Sequence, residues 1–410
     1  MTKYKFLDIF AGCGGLEDGF LQTEKYIDVA AVEWLKPQVN TLRSRLKSKW
    51  EIIDSEERVL HFDIQREEEL FYGWKNDAEY GSSLGLDSIV KKSEGIDLII
   101  GGPPCQAYSV AGRVRDEKGM KDDYRNYLFE HYCSIVNRYK PKLFVFENVP
   151  GILSAKPDGT PIIEHIRKGF SDIGYEIIEN LSFAKIDASN YSVPQRRERV
   201  VIVGLSKTFF ANPQTALQKF YTQILPKYKG KKIISVKEAI DDLPKFEPYF
   251  DEAHHRKHIA YKVPECSISW HEPRYQNLRD MDTFRILAED VSSGRFDYDS
   301  KKITELYEQK VGSKSPIHRY HVLEPNKPST TIIAHLYKDG NRFIHYDPKQ
   351  CRTITVREAA RLQSFDDDFD FIGNRGNAYQ MIGNAVPPKL AKAIGNAIFE
   401  LLEKVKDVSL

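Results

Sequence analysis

Short apolar runs alternate with amphipathic stretches over the first 204 residues of the chain. Strongly apolar runs predict strands at residues 6–10, 29–32, 98–100, 143–146 and 200–203, with a further strand near 182–186. Apolar residues at three- and four-residue spacing predict helices at 16–20, 128–139 and 162–173. Because the two kinds of element alternate, we expect a doubly wound α/β sheet.

The pattern changes after Gly204. Periodicity is poor over residues 206–350, where Pro, Tyr, Lys and His are frequent. Regular structure resumes at residues 355–362, with Thr355 as the expected N-cap of a helix, and an amphipathic helix follows near the C-terminus. Residues 65–95 are charged and then rich in Gly and Ser, and we interpret them as a surface insertion without an assigned role.

Two domains are expected from this change of character. Residues 1–205 and 375–410 would form the first domain, on which the C-terminal helix packs. Residues 206–374 would form a second, smaller and irregular domain.

The distribution of charge along the chain indicates the kind of partner that the protein binds. The chain has 410 residues, 41% of them hydrophobic, and a formal net charge of +1. Residues 206–350 carry 24 Lys and Arg against 19 Asp and Glu, a net +5, together with eight of the eleven histidines. A mildly basic surface with many aromatic residues suits phosphates and bases.

Cysteine usage and hydropathy indicate the compartment. The five cysteines contain no CxxC pair and no signal peptide is recognisable, so we expect no disulfide framework and a reducing cytoplasm. No apolar run has the length of a membrane span. His254, His255 and His258 could suggest a metal, but no second ligand group stands at metal-site spacing, so no metal is expected.

The first predicted strand runs directly into a glycine-rich turn at residues 11–15 and then into a helix. Small residues let the backbone approach a ligand, and a helix N-terminus offers free N–H groups, so this arrangement is typical of nucleotide binding. Glu33 and Trp34 follow the strand at 29–32, and residues 61–64 have the pattern of a further strand end, which carries Asp63. A carboxylate there can bind ribose hydroxyls and an indole can stack on a purine. The alternative is an exposed acid and a core tryptophan.

Cys105 stands in a tight loop, residues 101–106, after another buried strand. Open α/β sheets place their chemistry beyond the carboxyl ends of the strands, so this cysteine is a candidate nucleophile. The alternative is a free cysteine packed as a small hydrophobic residue. The polar segment 110–124 is long enough to be a mobile lid, or it is an ordinary solvated loop.

A thiol, a carboxyl at a strand end and a pair of arginines suit chemistry on an electron-poor ring. Carbon 5 of a pyrimidine is a poor nucleophile until a thiolate adds at carbon 6. That addition needs an acid near ring nitrogen 3 and cations near the exocyclic oxygen. Glu147, Arg197 and Arg199 have the chemical types for those roles.

Six stretches resemble, in order, the motifs of the DNA (cytosine-5) methyltransferases. They are residues 6–15, 102–106, 147–149, 195–199, 352–358 and 383–386, and the resemblance spans residues 5–204 and 328–395. It implies a Rossmann-like, S-adenosylmethionine-dependent methyltransferase domain, with a target-recognition domain in the irregular region. Arg357 and Glu358 would brace that domain against the catalytic one.

The resemblance also implies site residues. Cys105 would attack carbon 6, Glu147 would bind nitrogen 3 and the amino group, and Arg197 and Arg199 would hold the cytosine and its phosphate. The base would be extruded beneath the lid, because a stacked base cannot be reached. S-adenosylmethionine, the methyl donor, would be bound by Phe10, Ala11, Gly12, Gly14, Gly15, Leu16, Glu33, Trp34, Asp63, Ile64, Pro104, Leu128, Asn384, Ala385 and Val386.

Partners follow from the same resemblance, which is to stand-alone enzymes of the restriction-modification type. It implies double-stranded DNA as substrate, a monomer on DNA, a prokaryotic cytoplasm near the nucleoid, and a cognate restriction endonuclease acting on the same site. RNA is the nearest alternative substrate, because relatives that methylate transfer RNA have similar motifs. An inactive cofactor- or DNA-binding relative is the other alternative, and the joint presence of Cys105, Glu147, Arg197 and Arg199 argues against it.

Overall fold

A computed structural model describes residues 3–103, 128–156, 159–255, 259–313, 320–338 and 340–408. The chain divides into two compact units. The first comprises Met1–Ser192, Arg197–Lys231 and Ala385–Leu410, and the second comprises Val193–Arg196 and Lys232–Asn384. These limits differ from the expected boundaries after residues 205 and 374.

The later boundary has a physical reason in the segment that follows residue 205. The hydroxyl of Tyr221 donates to Val201 O and accepts from Val203 N, so the segment is bonded to the last long strand of the first unit. Lys227 forms an ion pair with Glu400 of the C-terminal helix, at 2.5 Å. Residues 206–231 therefore belong to the first unit.

The strands of the described residues are β1 (Tyr4–Ile9), β2 (Tyr26–Glu33), β3 (Val59–His61), β4 (Trp74–Asp77), β5 (Gly81–Ser83), β6 (Leu98–Gly101), β7 (Leu143–Asn148), β8 (Tyr175–Ile177), β9 (Lys185–Asp187), β10 (Glu198–Ser206), β11 (Glu247–Pro248) and β12 (Tyr261–Lys262).

The helices of the same residues are α1 (Gly15–Leu21), α2 (Lys36–Trp50), α3 (Ser55–Arg58), α4 (Glu67–Tyr72), α5 (Gly85–Lys92), α6 (Leu128–Tyr139), α7 (Ile162–Asp172), α8 (Pro213–Lys219), α9 (Val236–Ile240), α10 (Glu252–His255), α11 (Leu278–Ser292), α12 (Ser300–Val311), α13 (Val356–Leu362), α14 (Arg375–Asn384) and α15 (Pro388–Val408).

An eight-stranded sheet forms the core of the first unit, counted over the described residues. Its order is β3-β2-β1-β6-β7-β10-β8, with β9 also paired to β10. The five neighbouring strands β3, β2, β1, β6 and β7 are parallel, and β10 is antiparallel to β7, β8 and β9. The apolar runs of β6 and β7 lie in the middle of the sheet, where both faces are covered. The predicted doubly wound, Rossmann-like α/β fold is confirmed.

Two predictions about local structure in this unit are wrong. The strand expected near 182–186 is a 3-10 turn (Leu181–Ala184) followed by the three-residue β9, and β8 was not predicted. Strands of three residues contain too little alternation to be recognised. Residues 65–95 form α4, a β4–β5 hairpin and α5, with Leu70, Phe71, Trp74 and Leu86 buried, so they are more than a surface insertion.

The C-terminal helix α15 packs on α1, as predicted. A Cβ atom at Gly19 would lie 2.4 Å from Ala391 Cβ, so the two helices approach at a position that only glycine allows. The hydroxyl of Tyr26 donates to Gly395 O at 2.6 Å. The contact ties the last helix to β2 and α1.

The sequence pattern predicted neither the shorter helices α9, α10 and α14 of the second unit nor its two longest described helices, α11 and α12. Asn277 and Asp299 cap these two longest helices by accepting hydrogen bonds from the backbone N–H groups of Asp280 and Lys302. Thr355 caps α13 as predicted, in a reciprocal pair with the side chain of Glu358.

Candidate active site

The glycine-rich turn lies at the carboxyl end of β1, at the centre of the sheet. Phe10, Gly12 and Gly14 all have positive φ, at 64°, 60° and 89°. A Cβ atom at Gly14 would lie 2.5 Å from Leu42 Cδ1, whereas one at Gly12 would meet nothing within 4 Å. The turn therefore needs glycine for its backbone, and it leaves open space beside Gly12.

Glu33 fastens this turn to the end of β2. Its Oε2 accepts from Gly12 N at 2.9 Å, and its Oε1 accepts from Trp34 N at 3.0 Å and Leu35 N at 2.8 Å. Burial raises the pKa of the Glu33 carboxyl, and the three N–H groups lower it in part. Since Oε2 has one donor, it can accept one further hydrogen bond.

The ends of β2 and β3 bring Trp34, Asp63 and Ile64 to one edge of the sheet. The two strands are parallel, with Glu33 paired to His61. The Trp34 side chain is 46% exposed and Ile64 is buried, while Asp63 accepts from Gln65 N at 3.0 Å. The exposed indole contradicts the alternative of a core tryptophan.

Glu147 and the arginines are brought together by strand register. Val201 of β10 is paired with Glu147 of β7, so Arg199, two residues earlier, projects from the same face. Arg199 Nε donates to Glu147 Oε1 at 2.9 Å, and each side chain is 12% exposed. The spacing of two residues in the arginine motif thus reflects the period of a strand.

Gly102 lies directly beside this pair. Gly101 is paired with Phe146 in the parallel β6–β7 ladder, so Gly102 stands next to Glu147. A Cβ atom at Gly102 would lie 2.9 Å from Glu147 Oε2. The carboxylate therefore occupies the space that a side chain at 102 would need.

The electrostatics favour a carboxyl that can hold a proton. Burial raises the pKa of Glu147, and the guanidinium groups of Arg199 and Arg197 lower it in part. Arg197 is 1% exposed and its Nη2 donates to Ala385 O at 3.2 Å. A buried acid beside fixed cations can protonate or bind a ring nitrogen.

Other residues that were predicted for the site lie either outside the described part of the chain or outside β7 and β10, the strands that carry Glu147 and Arg199. Cys105 and Pro104 lie outside the described residues, as does the segment 110–124. Leu128 begins α6 and is buried, and Val386 is also buried. Asn384 ends the second unit, whereas Ala385 begins the last segment of the first.

Gln195 is a residue whose role the sequence did not indicate. It is fully buried in the second unit, where its Nε2 donates to Leu362 O and Gln363 Oε1 and its Oε1 accepts from Ile332 N at 2.8 Å. The motif that supplies Arg197 and Arg199 to the first unit thus begins in the second.

Arg357 and Glu358 have their described bonds within the second unit. Glu358 forms a two-point ion pair with Arg352, with both N–O distances at 2.6 Å. Arg357 donates to Ser269 O and to Phe369 O. These bonds fix α13 within its own unit, and the expected bracing of the two domains stays a prediction.

Comparison with known proteins identifies the chain. The family described as C-5 cytosine-specific DNA methylase matches residues 4–400. The chain belongs to this family. It is 31% identical to the Type II methyltransferase M.Bpa9945I of Bacillus paralicheniformis, over 97% of this chain and 98% of that relative. It is 30% identical to the Type II methyltransferase M.XorII of Xanthomonas oryzae pv. oryzae, over 98% and 86%.

Solved structures agree on the fold. A DNA modification methyltransferase encoded within a prophage (E. coli) superimposes with a TM-score of 0.58 at 24% identity, over 98% of this chain and 100% of that one. The expected enzyme class, DNA (cytosine-5)-methyltransferase, is confirmed by the family and its named members.

The described part of the chain contains no group of three or more His, Cys, Asp or Glu side chains that could hold a metal ion. Within that part, every helix is too short or too polar to cross a membrane.

Proposed function

We propose that the chain is a site-specific DNA (cytosine-5) methyltransferase that transfers a methyl group from S-adenosylmethionine to carbon 5 of a cytosine extruded from duplex DNA. The observation that carries the proposal is the Glu147–Arg199 ion pair beside Gly102, in a chain of the C-5 cytosine-specific DNA methylase family.

The glycine turn supports S-adenosylmethionine as the bound group. The open space beside Gly12, the free acceptor position on Glu33 Oε2 and the exposed indole of Trp34 suit the ribose and base of an adenosine. Asp63 and Ile64, which follow β3, and the other residues predicted to bind the cofactor would complete the site. The bound molecule would supply the methyl group.

Four residues of the chain would then have separate roles in the reaction. The Cys105 thiolate would add to carbon 6 of the cytosine, which raises electron density at carbon 5. Glu147, held by Arg199, would share a proton with nitrogen 3 and accept from the amino group. Arg197 would support the charge on the exocyclic oxygen. After methylation, loss of the carbon 5 proton would release Cys105.

Sequence reading is proposed for the second unit, whose boundaries we now take from its compact structure. Phe250, Val263 and Tyr275 are large side chains exposed there. The five Lys residues of 206–231 belong to the first unit and account for the whole net +5 of residues 206–350, so residues 232–350 carry equal numbers of basic and acidic residues. Basic side chains would bind phosphates, and a few side chains would contact base edges. Relatives named as Type II methyltransferases support a cognate endonuclease that acts on the same site and need not contact this protein.

Methyl transfer from labelled S-adenosylmethionine tests the proposal. The protein is incubated with duplex DNA or with transfer RNA, and the labelled base is identified after hydrolysis. We expect 5-methylcytosine in duplex DNA, and no label with the Cys105→Ala variant. Label in transfer RNA alone would establish the RNA alternative, and no label in either would favour an inactive binding protein.

A further inference from the structure

Residues 65–95, which have no assigned role, are hydrogen-bonded to helix α6 of the first unit, to which they themselves belong. Glu67 of α4 accepts from Ser134 at 2.7 Å and forms a hydrogen bond with His131, both residues of α6. Asp87 of α5 accepts from the Tyr139 hydroxyl at 2.9 Å and pairs with Arg138. The segment is thus anchored at both of its helices, and the hairpin between them has a fixed position.

The β4–β5 hairpin closes on the end of β3. The Trp74 ring stacks on Phe62 at 3.8 Å between centroids and 21° between planes. The Tyr80 ring meets His61 edge-on at 5.0 Å and Phe62 at 5.1 Å. The Arg66 guanidinium lies 4.8 Å from the Phe62 ring centre. His61 and Phe62 immediately precede Asp63, so this cluster holds the backbone that carries the predicted cofactor residues.

His61 extends this support to the neighbouring strand end. Its Nε2 lies 3.0 Å from Trp34 O, and because a carbonyl can only accept, Nε2 is the donor. Burial lowers the pKa of His61, which favours the neutral ring, and with the proton on Nε2 the neutral ring has none on Nδ1. The Tyr80 ring, at 72° to the imidazole, restricts the orientation of His61, and the His61 hydrogen bond holds the carbonyl of Trp34.

The hairpin itself is set by hydrogen bonds around Tyr80. Asp77 Oδ1 accepts from the backbone N–H of Tyr80, and Asp77 Oδ2 accepts from Arg66 Nη1, at 2.9 and 2.8 Å. The Trp74 indole donates to Tyr80 O at 3.1 Å. The backbone at Tyr80 is therefore held from within the segment, and its ring packs on His61 and Phe62.

We propose that residues 65–95 are a positioning element for the adenosine end of the cofactor site, and that Tyr80 is its positioning residue, acting through His61 on Trp34. The inference rests on the proposed function, because it needs an adenosine-containing ligand between Trp34 and Asp63. It assigns the segment a role in ligand affinity and none in the chemical step.

The test measures affinity and turnover separately in the full chain. S-adenosylhomocysteine binding is measured by calorimetry, and kcat and the KM values for S-adenosylmethionine and DNA are measured by methyl transfer. For Tyr80→Ala we expect the Kd and the S-adenosylmethionine KM to rise roughly 3- to 10-fold, the range for one aromatic pair, with kcat unchanged. Tyr80→Phe keeps the ring and should restore both values. Tyr72→Ala is the matched control, since Tyr72 is an aromatic residue of the same segment and is 64% exposed.

A double-mutant cycle tests whether Tyr80 acts through His61. If Tyr80 acts through His61, then Tyr80→Ala should have a much smaller effect on Kd in a His61→Ala background. Unchanged Kd in Tyr80→Ala, or a fall in kcat without a change in Kd, would overturn the inference while leaving the proposed function intact. Full additivity with His61→Ala would overturn the route. A native protein that binds no S-adenosylhomocysteine would overturn the proposed cofactor, and this inference with it.

Discussion

Replacing Gly102 by alanine is a small change that should act directly on Glu147. Gly102 is not among the residues with positive φ, so its backbone can accept a side chain without strain. The added Cβ would lie 2.9 Å from Glu147 Oε2, whereas ordinary contacts begin at 3.4 Å. The carboxylate must therefore move by roughly 0.5 Å, while Arg199 still holds its other oxygen.

The expected cost follows from this displacement. Because a misplacement of about 1 Å can lower a rate about 10²-fold, half of that displacement should lower the rate constant of the methyl-transfer step roughly 10-fold. Stability should change by less than about 1 kcal/mol, since only one flexible side chain must move. Single-turnover methyl transfer measures the first quantity, and urea unfolding followed by circular dichroism measures the second.

Gly169→Ala is the matched control. Its Cβ would lie 3.5 Å from Cys133 Sγ, an ordinary contact, within α7 three residues before the helix ends. We expect full activity and an equal or higher stability, because alanine favours a helix over glycine by about 1 kcal/mol. Full activity in Gly102→Ala would refute the reasoning that the position of Glu147 limits the rate.

Three further changes test other parts of the account. Glu147→Gln should lower single-turnover rates by about 10²–10⁴-fold with the fold retained, because an amide cannot supply a proton; an unchanged rate would place the acid elsewhere. Asp28→Asn tests a buried carboxyl whose pKa is raised to about 7 by burial. Since the unfolded chain loses that proton near pH 4, native stability should fall as pH rises from about 4 to about 7. In urea unfolding at several pH values, the free energy of unfolding of the variant should decrease less over this range than that of the native protein. An equal decrease in both proteins would contradict the raised pKa of Asp28. Gln195→Ala should lower the free energy of unfolding by roughly 2–4 kcal/mol, because buried partners lose their bonds; a loss below 1 kcal/mol would contradict that role.

The fold could be predicted where burial is uniform. β6 and most of β7 are continuous apolar runs because both faces of the sheet are covered, and β1 is apolar except for Lys5 and the buried Asp8. The glycine turn follows β1, and Glu147 lies near the carboxyl end of β7. Short elements could not be predicted, since three residues, as in β8, carry no period. Helix α12 was missed because it has no buried residue and so lacks a strong apolar face. Helix α11 buries Met281, Phe284, Leu287 and Ala288 at helical spacing, so its pattern was present in the sequence and was overlooked.

The site was predictable from chemistry and spacing, but its supports were not. The pairing of Glu147 with Arg199 follows from the register of β7 and β10, which are neighbours in the sheet but far apart along the chain. The sequence pattern does not indicate that register. The bond from His61 to Trp34 and the three bonds of Gln195 depend likewise on contacts between segments remote along the chain. Such residues cannot be distinguished from ordinary polar positions by sequence pattern.

Covalent trapping on fluorinated DNA tests the central claim most directly. A duplex with 5-fluorocytosine at the methylated position is incubated with the protein and S-adenosylmethionine, and the products are separated by denaturing electrophoresis. Fluorine cannot leave as a cation, so the last step fails and Cys105 should remain bonded to carbon 6. The account predicts an adduct that requires S-adenosylmethionine, that mass spectrometry locates at Cys105, and that is absent in Cys105→Ala. An enzyme that methylates cytosine normally and yet forms no adduct on the fluorinated duplex would contradict it.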